Sequence, residues 1–461
     1  MDDYKPVLSS LKIEDIEKFI GMTEYVSKSV GVGGIIKAKP EDFMVWETLE
    51  SGEDAKRLFE LSSFLESYGN HLLCVMKKVN IDTIRALSLI AKRLNLRSRE
   101  IGICGIKDKV SISWQFLTIP SHAVESPRTL EINSFIEVKP IKYVKHKLSS
   151  RQLRNNTFHV IIRYPRITDT SLIDEIVREL KIKGVPNYYG HQRFGITRPI
   201  TPIVGLLIMK NELRKAVAAF LSDYTDLESE RNRLLRKELA ERWELEWASE
   251  HFPRSLTYER ILIDSLRKHP GDYVKCLRAL PLRLRRLLVE SVAARIFNST
   301  LSKIIKEDRF NELEVGDIVL PLNPSGRADK NKPINVTSGN IRQIEKLVKN
   351  GKMVVALPSP GYLSPLPRSS KGEIMLQVME EEGVDFKDFK VEGLPEASTK
   401  GSLRPIKIPK WTCSVNSVSD ESVTFFFTLP PGSYATVLLR EIMKPENPLA
   451  YIGRFQDNPH R

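Results

Sequence analysis

No two of the four cysteines, Cys74, Cys104, Cys276 and Cys413, stand at the short spacing that a thiolate metal site or a redox pair requires. Their scatter argues against a disulfide framework and against a zinc finger. The eight histidines form neither HExxH nor HxH, so no metal centre is expected. A GxxxxGKS/T run is absent, and no GxGxxG opens a helix, which removes the usual cradles for ATP and dinucleotides. A serine elbow is missing too. The expected chemistry therefore runs on side chains alone, with no cofactor.

Long apolar runs are also lacking. The longest, IVGLLIM at 203–209, falls far short of the roughly 20 residues that a spanning helix needs. The start, MDDYKPVLSS, is acidic and carries no apolar stretch after a basic one, so a secretory signal is not expected and cytoplasm is. Acids are the scarcer charge: 58 Asp and Glu against 71 Lys and Arg leave +13. That excess favours a polyanionic partner, nucleic acid before a membrane surface. With 461 residues, 41% of them hydrophobic, the chain can build two or three domains with ordinary cores. Neither an internal repeat nor a low-complexity tract is visible, and the oligomeric state is left open.

What is present reads as a mixed α/β chain. IIKAKPEDFMVWETL at 35–49 suggests an extended piece, a proline-marked turn and a strand over 43–48. HLLCVMKKV at 71–79 is a further strand, and Asp82 stands where an N-cap belongs before a helix with Ile84, Leu87, Ile90 and Leu94 on one face. VSISWQFLTI at 110–119 alternates, with Val110, Ile112, Trp114 and Phe116 apolar and Ser111, Ser113 and Gln115 polar. FHVIIRY at 158–164, a helix after it and VPNYYG at 185–190 make a strand–helix–strand pattern. From about 210 to 310 the chain turns helical and highly charged, with an exposed helix expected over 228–247 and a longer one over 282–304. Strand character returns in SVTFFFTL at 422–429. The expected division is 1–197, a second domain over 198–400, and a return over 401–461.

Four stretches could carry chemistry. In GICGIKDKV (102–110), Asp108 lies between Lys107 and Lys109 on a turn where two strands meet. It reads either as an ordinary surface turn or as a carboxylate kept ionised by cations, fit to serve as base, ligand or nucleophile. In VPNYYGHQRFG (185–195), the aromatics and Arg193 suit stacked bases and phosphates, or else a core at a tight bend. KYVKHKLSSRQLRNNTF holds five Lys or Arg between 142 and 154 and no acid; RALPLRLRR at 278–286 is a second acid-free cluster. Both could track phosphates, or be solvated faces. In FTLPPGSYATVLLREIM (427–443), Tyr434 stands at a strand-to-helix corner, as packing or as a platform for a planar ring.

Together the blocks KAKPEDFMVWE, GICGIKDKVSISWQ, NNTF with VPNYYGHQRFG, and FTLPPGSYATVLLRE resemble the TruD family of tRNA pseudouridine synthases, in its archaeal type, and stand in that family's order. The resemblance implies a pseudouridine-synthase-type α/β catalytic domain, interrupted by an inserted α/β TRUD domain. It implies isomerisation of a tRNA uridine without cofactor or metal, at position 13, or at another site such as position 35. Asp108 falls on the family's catalytic aspartate, acting as nucleophile or as base. Phe43 and Tyr434 match its base-contacting aromatics, Asn156 its polar substrate contact and Lys37 a basic residue near the carboxylate, while Lys107 adjoins Asp108. RFGITRPITP carries Pro202 where archaeal-type members usually have histidine, and ESVAARIFN (290–298) replaces a habitual His and Gln. Two other readings of the same residues are a non-catalytic RNA-binding protein and a nucleoside-cleaving enzyme that would release free uracil.

Overall fold

The computed structural model describes residues 4–453 apart from 66, 125 and 128. The start of the acidic N-terminal stretch, residues 1–3, and the end of the expected return segment, 454–461, lie outside them.

The larger sheet has ten strands. In chain order they are β1 (Gly33–Ile35), β2 (Phe43–Leu49), β3 (His71–Val79), β4 (Gly102–Ile103), β5 (Ile112–Pro120), β6 (Leu130–Asn133), β7 (Ile136–Val144) and β8 (Leu153–Pro165), with two more from the far end of the chain. A second sheet contains β9 (Ile318–Pro321), β10 (Ile334–Asn335), β11 (Met353–Ser359) and β12 (Ser402–Pro405) in the order β10-β9-β11-β12. Its last strand begins just past residue 400. β13 (Thr412–Ser419) and β14 (Ser422–Leu429) then rejoin the first sheet, whose order is β13-β14-β8-β2-β5-β3-β7-β6, with β1 on β8 and β4 on β5. Among the described residues only β2 and β5 pair as parallel strands, so the sheet is mixed, as the strand patterns suggest.

The centre of this sheet is β2, β5 and β8, and there simple alternation misleads. The serines and glutamine of 111–115 are as buried as the apolar residues between them: Ser111, Ser113 and Gln115 show no exposed surface. Trp114 and Phe116 pack in one apolar cluster, Leu117 and Ile119 in another on the opposite face. The strand is covered on both sides: Ser111 and Gln115 have hydrogen-bond partners there, while Ser113 Oγ is buried with none among the described residues.

Asp82 caps the Thr83–Arg93 helix, its carboxylate accepting from Ile84 N at 2.8 Å. That helix buries Ala86, Leu87, Ile90 and Ala91, while Ile84 stays exposed. VPNYYG adds no strand to the large sheet. It makes an antiparallel bridge, Pro186 to Lys407, with the segment that leaves the second sheet. The highly charged stretch gives a helix over Glu230–Arg242 that stops where Trp243 takes a left-handed φ of 50°. It is not exposed all round, since Arg236 is fully buried and bonded to Glu259 and Glu228.

The Leu282–Lys306 helix is the spine of the middle of the chain, burying thirteen residues from Leu288 to Ile304. One buried cluster runs without a break from Phe43, Val45 and Phe158 on the large sheet through Phe297 and Leu301 to Val355 and Met375. Among the described residues no helix is long and apolar enough to cross a membrane.

Candidate active site

Between β4 and β5 the chain passes through residues 104–111 without regular structure, and side chains from three elements hold this loop. Lys78, at the end of β3, donates from Nζ to the main-chain carbonyls of Asp108 (2.7 Å) and Ile81 (2.9 Å). Ser111 Oγ donates to the same Asp108 carbonyl at 2.8 Å, and Gln115 Nε2 to Gly105 O at 2.9 Å. The Thr83 hydroxyl accepts from Lys107 N at 3.0 Å. Ser111 and Gln115, buried polar residues of β5 and its approach, therefore serve the loop that carries Asp108.

Asp108 accepts from Lys37 Nζ through Oδ2 at 2.6 Å. Its other oxygen, Oδ1, has no hydrogen bond among the described residues. The side chain keeps 36% of its surface open, because that opening is the floor of a cleft; Lys37 behind it keeps only 6%. Burial in the cleft pushes the carboxyl pKa up, but Lys37, by charge and by hydrogen bond, and then Lys78 and Lys107, more than reverse this. The outcome is a carboxyl held below the usual carboxylate range, hence ionised at neutral pH. Lys37 itself has a left-handed φ of 59° and lies with Nζ 4.3 Å from the centre of the Phe43 ring.

Five of the six residues singled out from sequence, Phe43, Lys107, Asp108, Asn156 and Tyr434, line this one cleft of about 600 Å³, and Lys37 sits directly behind its carboxylate. Lys107 lines it with its chain directed elsewhere: Nζ pairs with Glu47, a fully buried carboxylate on β2 whose other oxygen accepts from Phe116 N at 2.9 Å. Phe43 is wedged edge-on against Phe158 at 5.9 Å, which in turn stacks on Phe427 at 5.0 Å. Asn156 stands on β8 between Glu47 and Leu429. Its Oδ1 is buried with no partner, an acceptor left open.

Tyr434 occupies the N-cap position of the Ala435–Met443 helix, and burial raises its phenol pKa against the opposing charge of Arg404. Tyr189 meets it edge-on at 6.4 Å. The two tyrosine-bearing motifs are tied by Arg404 of β12, which donates to Asn187 O (2.8 Å), Asn187 Oδ1 (2.8 Å), Tyr188 O (3.1 Å) and Gly432 O (3.1 Å). Its guanidinium also lies 4.0 Å from the Tyr189 ring centre. Gly190 has to be glycine, since a Cβ there would come within 2.9 Å of the Tyr434 ring. Tyr188 and Phe194, by contrast, are fully buried and fill the core, so the stacking reading of 185–195 survives only for Tyr189.

Of the basic cluster at 278–286, Arg278 and Arg285 are occupied by the Glu396 carboxylate and Arg286 by the Glu396 carbonyl, leaving Arg283 to line the cleft. Arg193 also lines it while pairing with Glu290 at 2.8 Å. A loop of the second sheet closes one side: Arg327 Nη2 donates to Ser150 O (3.0 Å) and Leu153 O (2.6 Å), just ahead of Asn156. Among the described residues no group of three or more His, Cys, Asp or Glu could hold a metal ion. Sequence reasoning missed Lys78, Glu47 and Arg404. The one signal was compositional: charged residues inside otherwise strand-like runs, at 71–79, 43–49 and 402–405.

The family model for tRNA pseudouridine synthase D (TruD) matches residues 19–442. Over 437 residues the chain is 33% identical to a Thermococcus sibiricus protein named "Probable tRNA pseudouridine synthase D", covering 93% of this chain and 99% of that one. A Methanococcoides burtonii protein of the same name is 31% identical over 444 residues, covering 94% and 98%. The crystal structure of a candidate tRNA pseudouridine synthase D from Methanosarcina mazei superposes with a TM-score of 0.77 at 28% identity, covering 95% of this chain and 99% of that one. A match that spans both the strands around Asp108 and the helix after Tyr434 leaves one conclusion: this chain belongs to the tRNA pseudouridine synthase D family.

Proposed function

We propose that the chain converts uridine 13 of tRNA to pseudouridine, with Asp108 as the catalytic residue. The reaction breaks the bond between C1′ and N1, turns the base, and joins C1′ to C5, which then loses its proton while N1 gains one. It calls for an ionised carboxylate aimed at the sugar, as nucleophile at C1′ or as base at the adjacent carbon. The observation that carries this reading is the carboxylate itself: one oxygen held by Lys37, the other open on the floor of a cleft walled by Phe43 and Tyr434.

The target base has to leave its stack, which costs a few kcal/mol. Tyr434 offers ring surface to a flipped uracil beside the nearly buried Phe43, and the unpartnered Asn156 Oδ1 can accept from its N3–H. Gly105 leaves room at the floor, where a Cβ would meet nothing closer than Lys107 Nζ at 3.6 Å. Residues 1–197 and 401–461 form the catalytic unit in this reading, and 198–400 the insert that approaches from the side of Arg283.

Replacing Asp108 by Asn keeps the shape of the side chain and removes its charge. D108N should abolish product while leaving tRNA affinity within about threefold, an expectation from removing one reacting group. A variant that still makes pseudouridine at the normal rate overturns the assignment. Free uracil in the reaction would indicate cleavage instead. Mapping pseudouridine in tRNA from cells with and without the protein decides between position 13 and position 35.

A further inference from the structure

The most unusual charge in the molecule is beneath the cleft. Lys78 is fully buried on β3, yet among the described residues no carboxylate pairs with it. Its ammonium spends its donors on two main-chain carbonyls, Ile81 O and Asp108 O. Burying an ammonium without a carboxylate partner is costly. A hydrophobic side chain would fill a strand end more cheaply, so a purely structural role leaves the charge unexplained.

We infer that Lys78 is a positioning residue for the isomerisation: it fixes the main chain of Asp108 and supplies positive potential from below without occupying either carboxylate oxygen. This rests on the reading of Asp108 as the catalytic carboxylate.

The three lysines around Asp108 divide the work. Lys37 touches the carboxylate directly and so takes up one of its oxygens. Lys107 is largely neutralised by Glu47. Lys78 alone adds charge without occupying a carboxylate oxygen and without a counter-ion in contact. Asp82, which caps the next helix, faces it more distantly and acts with Asp108 to hold its proton. Burial brings the Lys78 pKa down to about 8, with those two carboxylates opposing and Lys107 and Lys37 adding to the drop. It is therefore still charged at neutral pH. Should it lose the proton, two N–H groups remain for the two carbonyls, so only the field changes while the anchor persists.

The test separates field from anchor. Lys78→Gln keeps a donor and removes the charge, while Thr83→Val removes a neutral anchor of the same loop. The Asp108 pKa is depressed, so activity is full above it and is lost as pH falls through it. Without Lys78's charge that fall should begin about 1 pH unit higher. In single-turnover assays, then, K78Q should shift the acid limb upward, whereas T83V should lower the rate evenly at every pH. A K78Q profile merely scaled like that of T83V overturns the inference.

A second measurement needs no variant at position 78. In ¹⁵N-lysine-labelled protein, the Lys78 Nζ titration should move to lower pH in D108N, because coupling between two charges is reciprocal. An unchanged midpoint likewise overturns the inference. An active D108N would defeat the reading of Asp108 itself; an inactive D108N with no shift at Lys78 would defeat only this one.

Discussion

At the scale of single residues, neighbours in sequence and neighbours in space part company around Asp108. Lys107 adjoins it in the chain, but on an extended loop successive side chains diverge, and Lys107 turns to Glu47. Lys37, seventy-one positions away, makes the contact instead. Tyr434 shows the same economy. Its ring lines the cleft, while its hydroxyl makes no hydrogen bond among the described residues. Tyr434→Phe should therefore leave kcat/KM within about threefold. Tyr434→Ala should lower it tenfold or more, since stacking on an aromatic face is worth about 1–3 kcal/mol per base. Steady-state kinetics on a tRNA transcript read both, and a large loss in the phenylalanine variant would give the hydroxyl a role that its surroundings do not suggest.

Among the elements, the Leu282–Lys306 helix does more than span the middle of the chain. Asn298 on it accepts from Tyr189 N at 2.8 Å and donates to Ile20 O and Tyr189 O, both at 3.0 Å. One buried amide thus joins the N-terminal segment, the helix and the strand-like run that carries Tyr189. Asn298→Ala leaves these three main-chain groups without their amide partner, a loss of about 3 kcal/mol or more when each unmade bond costs about 1–3. A lowered thermal midpoint should accompany weaker activity, because Tyr189 supports Tyr434. β5 carries the parallel lesson for strands. Its Gln115, and Ser111 just ahead of it, read from sequence only as the polar half of an alternating run, yet both anchor the loop before it.

For the whole molecule, the net charge of +13 is a statement about partners, and tertiary structure decides which cations can act on it. tRNA binding should weaken steeply with salt, as phosphate neutralisation releases counter-ions. Arg283→Ala should reduce the slope of log K against log salt by about 1, as expected for a lost phosphate contact. Arg285→Ala should reduce it less, because Arg285 is already held by Glu396. Filter binding over a salt series distinguishes the two, and equal slopes for both variants would remove Arg283 from the footprint.

Much of this was legible in the residues alone. The strands at 43–49 and 71–79, the capped helix after Asp82 and the spine helix follow from local patterns that their surroundings reinforce. The cleft residues were legible as separated motifs only through their joint resemblance to the family, because by local pattern Asp108 reads equally well as an ordinary surface turn. Local pattern could not say which side a buried polar group faces. Whether Ser111 and Gln115 meet water or a loop, and whether Lys78 ends a strand or supports an aspartate, depends on burial that only the assembled sheet creates and, for Lys78, on a pairing thirty residues apart. Arg404 is the plainest instance: a charge inside the strand-like SLRP is all that marks it, and only the meeting of two distant motifs gives its five donors four oxygens to hold.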